Sequence, residues 1–144
     1  MTVAAARPHT TAVMGLLTAA SVLVDRGKAP TNGGWQGNPG TSTFKGYTVL
    51  YPFTGLDEPA SLALFHDSFD FTFQLTCVGA TQDQAAGVMD AVRAALIGVT
   101  PTVAGRIAYP IYPVPLNRPI ARDDAVAPPV HYGTLQFHFK SDPT

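Results

Sequence analysis

Charge is scarce in this 144-residue chain: Asp, Glu, Lys and Arg supply 13% of it, against roughly a quarter in typical soluble domains. The formal net charge is −1, and the nine Lys and Arg are scattered with no basic run. That excludes a global field drawing in nucleic acid or an acidic membrane. Cysteine is nearly absent. Cys77 is the only one, so no internal disulfide staples the fold. No apolar stretch reaches the ~20 residues that a bilayer-spanning helix needs.

The motifs that carry chemistry are missing too. There is no G-x-S-x-G elbow, no Walker phosphate loop and no G-x-G-x-x-G after a strand pattern. Gly33, Gly34 and Gly37 precede no helix pattern, so they build no phosphate cradle. The four histidines and Cys77 include no H-x-x-x-H or C-x-x-C pair, and His131 and His138, seven apart, would face opposite sides of one strand. Asp57-Glu58 and Asp123-Asp124 are the only adjacent carboxylates, and both sit in proline-rich loops, not in the rigid, partly dry cleft a glycosidase pair needs. These absences predict no catalytic residue, no metal and no cofactor.

What is present is patterning. In HDSFDFTFQLTCVGAT (His66–Thr81), Phe69, Phe71, Phe73, Leu75 and Cys77 share one parity, and Asp70, Thr72, Gln74 and Thr76 the other. That is a strand with one apolar and one polar face. It places Cys77 in the core, where a thiol packs as a small hydrophobe and resists ionisation. YGTLQFHFK (Tyr132–Lys140) alternates in the same way, Leu135, Phe137 and Phe139 inward, Thr134, Gln136 and His138 outward. YTVLYPF (Tyr47–Phe53) puts Tyr47, Val49, Tyr51 and Phe53 on one face. After the Phe run the period changes: Ala85, Val88, Met89, Val92, Ala95 and Leu96 follow helical spacing behind a Thr81/Gln84 capping box, and Gly98 and Pro101 stop the helix.

A first helix is expected from about Pro8 to Arg26, ended by Gly27; its Val13–Val24 core has the length of a signal-peptide apolar region, but its amphipathic spacing reads as a mature helix. Arg106–Pro115 carries Pro110, Pro113 and Pro115, which confines it to an edge strand or a polyproline-like strip. SLALF (61–65) is expected to pair locally. The order helix, strand, strand, helix, strand, strand predicts one α+β domain over 1–144. Its sheet is mostly antiparallel and four-stranded, packed against two helices. Residues 27–46 form a long arm with six glycines and the only tryptophan, Trp35, and loops of that length in compact domains are usually functional or disordered.

The outward strand faces are polar yet nearly uncharged, where a solvent-facing sheet normally carries Lys and Glu. Together with the arm and the proline-rich edge this is the surface expected of an assembly subunit, in which Trp35 is either an anchor of the kind common at interfaces or packs back over its own core.

Three pieces of the chain resemble the tail terminator (tail completion) proteins of long-tailed bacteriophages, particularly those infecting actinobacteria. They are FTFQLTCVGATQDQAAGVMDAVRAALIG (Phe71–Gly98), the Val103-Ala104-Gly105-Arg106 turn, and RDDAVAPPVHYGTLQFHF (Arg122–Phe139). The resemblance implies a non-enzymatic virion protein. Its copies would form a homo-oligomeric, six-membered ring that caps the tail tube, stops its polymerisation and meets the head-side connector. DNA would pass through the lumen without specific binding, no membrane would be involved, and assembly would take place in the host cytoplasm before the protein sits at the head-proximal end of the tail. Under that reading Trp35 and Phe44 are expected on a neighbouring subunit, and Arg122, Asp123 and Asp124 in ion pairs between subunits or with the connector. Two rivals stand beside it: another head–tail connector or neck protein, and a small α+β enzyme or ligand-binding protein using a pocket near His66, Asp67 and Asp70.

Overall fold

The two alternating Phe runs become the two longest strands and pair with each other. In the computed structural model, which describes residues 4–58 and 68–144, the chain opens with helix α1 (Ala6–Ala19) and strand β1 (Val24–Arg26). A hairpin of β2 (Gly34–Trp35) and β3 (Phe44–Lys45) precedes β4 (Tyr47–Pro52) and β5 (Leu56–Glu58). The long β6 (Ser68–Gly79) runs into helix α2 (Gln82–Leu96). Three short strands, β7 (Arg106–Ala108), β8 (Tyr112–Pro113) and β9 (Ala121–Asp123), lead to the final β10 (Val130–Pro143).

The α+β class holds, but the sheet is larger than the expected four strands and is mixed. Among the described residues eight strands join one sheet in the order β1-β4-β6-β10-β7, with β5 beside β6 and β8 and β9 beside β10. The β1–β4 pair is parallel and every other pair antiparallel. The extra strands are two or three residues long, too short to alternate visibly in sequence. β7, β8 and β9 lie along one edge of β10, and the prolines of 106–115 confine β7 and β8 there. The segment 61–65, like His66 and Asp67, lies outside the described residues.

Register builds the core. Phe71 faces Phe139 and Phe73 faces Phe137 across β6 and β10, with ring centroids 5.8 Å apart in both pairs. Both helices cover this face. α1 contributes Val13 and Leu17, and α2 contributes Ala85, Val92 and Leu96, all fully buried. Cys77 is buried there as expected, 3.8 Å from the Thr48 hydroxyl, and burial pushes its thiol up to about 12. α2 begins as its sequence dictates: Thr81 Oγ1 accepts from the Gln84 backbone N–H at 3.1 Å, and Gln84 Oε1 reaches back to the Ala80 N–H at 2.8 Å.

α1 is shorter than expected, stopping at Ala19 and not Arg26. Ser21 takes a left-handed conformation, φ 61°. Its N–H donates to the Thr18 carbonyl and the Val22 N–H to the Leu17 carbonyl, each at 3.0 Å. This is the Schellman ending, usually built on glycine. It releases Val22–Arg26 from the helix, and β1 then lies parallel to β4, Val24 opposite Thr48. An L-residue pays roughly 1–2 kcal/mol in this region, partly offset in glycine by its unfolded-state entropy. Ser21→Gly is therefore expected to stabilise the chain by about 0.5–1 kcal/mol, read as a raised urea midpoint at unchanged slope.

Candidate functional site

With both helices on one face, the other face of the sheet is left uncovered by helix among the described residues. Directly opposed residues of antiparallel strands share a face, so the register specifies what it shows. Asp70, Thr72, Gln74 and Thr76 of β6 stand beside Lys140, His138, Gln136 and Thr134 of β10. On the β4 side Tyr51 stands beside Gln74 and Val49 beside Thr76. The aromatic face of YTVLYPF is thus the outward one, and Thr48 and Leu50, both at 0% exposure, face the core.

Large apolar side chains rim this polar centre. Leu56 lies opposite Asp70, Ile107 opposite Asp142, Tyr112 opposite His138 and Tyr132 opposite Val78. All four are exposed, Leu56 at 66% and Tyr112 at 55%, as are Tyr51, Phe53 and Tyr109. A hollow of about 190 Å³ opens between Tyr109, Pro110, Tyr112 and the His138–Lys140 stretch of β10.

The charges on this face are few and mostly engaged. His138 Nδ1 lies 3.3 Å from Asp70 Oδ1. The Asp142 carboxylate accepts from the Ser68 hydroxyl and, at 2.8 Å, from the Tyr109 hydroxyl. Those bonds, Ser68 first, hold Asp142 below the ordinary carboxylate range, and the same bond to Asp142 raises Tyr109. Between these groups lie Thr72, Gln74, Thr76, Thr134 and Gln136. They form a patch of hydrogen-bonding but neutral side chains, suited to contact with protein and cheap to dehydrate compared with Lys or Glu.

The residues singled out from sequence fall elsewhere. Trp35 and Phe44 oppose each other in the β2–β3 hairpin, with rings edge to face at 5.1 Å. Phe44 is 9% exposed, and its carbonyl accepts from Gln84 Nε2 at 2.7 Å, which pins the hairpin to the start of α2. The arm is therefore a folded hairpin in which Phe44 props a half-buried Trp35. Arg122 Nε pairs with Asp124 Oδ1 at 2.6 Å, and Asp123 Oδ1 accepts the Ala125 N–H at 2.9 Å. Both are local bonds in an exposed turn, where an ion pair contributes little. Of the rival trio, Asp70 is on the open face beside His138, and His66 and Asp67 lie outside the described residues. The open face's tyrosines escaped the sequence reading because alternation separates a strand's two faces without saying which is the core.

A Ser–His pair does occur, in the core. His9 Nδ1–H donates to the Ala5 carbonyl at 2.7 Å, and Ser141 donates to His9 Nε2 at 2.6 Å. Arg106 donates through Nε to Ser141 Oγ at 2.8 Å and through Nη2 to the Ser141 carbonyl at 2.9 Å. His9 and Ser141 are at 0% exposure, so no substrate reaches the hydroxyl, and the pair ties α1 to the last strand. Among the described residues no group of three His, Cys, Asp or Glu side chains is placed to hold a metal, and no helix is long and apolar enough to cross a membrane.

No protein-family model matches the chain, and no curated protein matches it in sequence. Among solved structures the fold is similar to a chain from the virion of a native gene transfer agent particle. The TM-score is 0.55 and the identity 14%, over 96% of this chain and 92% of that one. At that identity the likeness is one of fold, and it extends over nearly the whole of both chains.

Proposed function

We propose that this chain is a structural protein of a phage-type virion: a tail terminator whose copies close into a ring, six-membered in the family it resembles, on the end of the tail tube. The open sheet face carries the reading. It is broad, aromatic at its rim and nearly neutral at its centre, which is the chemistry of a surface made to be covered by protein. The fold's likeness to a chain from a gene transfer agent virion supports the same class. The Ser141–His9 pair, sealed in the core, serves this reading as a tie between α1 and the last strand.

In this role the protein stops growth by geometry. A head-to-tail interface that closes on itself offers no fresh copy of the tube's growing end, and the ring's far side is left for the head-side connector. DNA would thread the lumen without base-specific contacts. Trp35, half-buried on its hairpin, and the Arg122–Asp124 turn are secondary candidates for subunit contacts.

The test is the molar mass in solution by light scattering across a wide concentration range, paired with binding to purified tail tubes. A concentration-dependent rise toward six times the chain mass, or capture on tube ends, is the expected result. A chain that stays monomeric at every concentration and ignores tube ends, while binding a portal-side component, would replace this reading with that of a neck protein.

A further inference from the structure

A groove lies on the helical side, away from the open sheet face, and the polar part of its lining is arginine and threonine, with Pro8, Ala12, Leu16 and Ala104 between them. It holds about 750 Å³ and is bordered by Arg7, Thr11 and Gly15 of α1, Arg26 of β1, and Thr100 and Thr102 of the loop after α2. Arg7, Thr11 and Gly15 recur every four residues, so they form one stripe along α1. Arg26 joins that stripe by donating to Thr11 Oγ1 at 2.9 Å. Across the groove, Thr100, Thr102 and Ala104 alternate with the buried Pro101 and Val103, so every second side chain of an extended loop points the same way.

Among the described residues no carboxylate lines this groove. The nearest in sequence, Asp25, takes the Arg26 backbone N–H at 2.8 Å and lies 3.9 Å from Lys28; its side chain leaves the strand on the opposite face from that of Arg26. Two guanidinium groups and three hydroxyls therefore border the groove, Arg7, Arg26 and Thr11 on one side and Thr100 and Thr102 on the other, with no carboxylate among the described residues. An oxyanion in the groove would meet both guanidinium groups as charge-assisted donors. Gly15 keeps the floor clear, since a Cβ there would meet no atom within 4 Å.

We propose that this groove binds the phosphodiester backbone of a nucleic acid, independently of base sequence. Arginine forks and threonine hydroxyls are the side chains that hold phosphate oxygens, and the absence of aromatic rings from the wall leaves nothing on which a base would stack. The chain's scattered basic residues hid this in the sequence: Arg7 and Arg26 are brought together only because α1 turns back into β1. The groove is complete within one chain, so its binding does not depend on ring closure, and the two proposals stand or fall separately.

The experiment is fluorescence anisotropy of a short labelled DNA duplex titrated with the intact protein at low and rising salt. Wild type is expected to bind with a log–log salt slope near −2, about two phosphates neutralised per chain. Arg7→Ala/Arg26→Ala is expected to lose that binding by at least ~10-fold at the lowest salt and to flatten the slope. Thr102→Glu, which sets a carboxylate in the groove, is expected to do the same, while Lys28→Ala outside it leaves affinity unchanged. Circular dichroism melts and the light-scattering mass of each variant check that fold and assembly are intact. A wild type that does not bind duplex at low salt overturns the proposal, and so does a double arginine variant that binds like wild type.

Discussion

Below about pH 6.5, the ordinary value for histidine, the folded chain is expected to lose stability, with His9 as the group responsible. Burial, the largest cause, lowers the His9 value, the hydrogen bond to Ala5 opposes that shift, and the nearby Arg106 guanidinium adds to it. A protonated ring would also have to donate from Nε2 to a Ser141 oxygen that already accepts from Arg106. Phe69, Phe71 and Phe139 fill the rest of its surroundings.

The sign follows. Because the folded value lies below 6.5, the unfolded chain takes up the proton first as pH falls. Stability is then complete above 6.5 and declines by up to about 1.4 kcal/mol per pH unit until the folded value is reached. Asp142 acts in a lower window: its folded value is depressed below 3.8, so its contribution is intact above 3.8 and is lost only as pH drops further. Urea midpoints measured from pH 8 to pH 5 separate the two. His9→Leu is expected to be less stable than wild type at pH 8 by about 1–3 kcal/mol, since the Ala5 carbonyl and Ser141 hydroxyl lose their partner. Its profile through this range should be flatter than that of wild type. A wild-type midpoint that does not move between pH 8 and pH 5 refutes the assignment.

The parts of this fold that sequence made legible are those fixed within one turn or one strand. α2, its Thr81/Gln84 start and its end before Gly98 depend on neighbours a few residues away, and they form where expected. The parity of Phe69–Cys77 and of Leu135–Phe139 is likewise a local property, and the buried Cys77 follows from it. β1 is different. Val24 belongs to a strand because Thr48, distant in sequence, lies parallel to it, and helical spacing through Val13–Val24 concealed that pairing. The sheet's eight strands were miscounted for a related reason: β8 has two residues and no periodicity of its own, and exists because β10 offers it an edge.

The candidate site was legible in kind but not in place. Neutral Thr and Gln on the polar parity of β6 and β10 stood out in the sequence as an outward, nearly uncharged face. The rim did not, because Leu56, Ile107 and Tyr112 reach it from three separate short strands. Trp35 and Phe44 drew attention for their chemistry, yet their spacing said nothing of the edge-to-face contact that folds them onto each other. Arg122 and Asp124 were close enough in sequence to satisfy one another, and they do.

Charging the centre of the open face is expected to abolish assembly without unfolding the chain. Gln74 and Gln136 lie directly opposite each other, so Gln74→Lys with Gln136→Glu introduces a cross-strand ion pair and leaves the net charge at its original value. Such a pair is neutral or slightly favourable on a solvated sheet, contributing up to about 1 kcal/mol, and the melting temperature should stay within a few degrees of wild type. Covering the same pair with a protein partner is another matter. Desolvating two charges costs several kcal/mol per ion before their mutual attraction is counted, and each 1.4 kcal/mol left uncompensated is tenfold in affinity. A loss of at least ~100-fold in association is therefore expected, read as a light-scattering mass that stays at the monomer at concentrations where the proposed wild-type ring would form. Ala94→Lys, on the exposed side of α2, is expected to leave that mass unchanged. If the charged pair assembles as wild type does, the open face is not the surface that assembly covers, and the Trp35 hairpin and the Arg122–Asp124 turn become the next surfaces to charge.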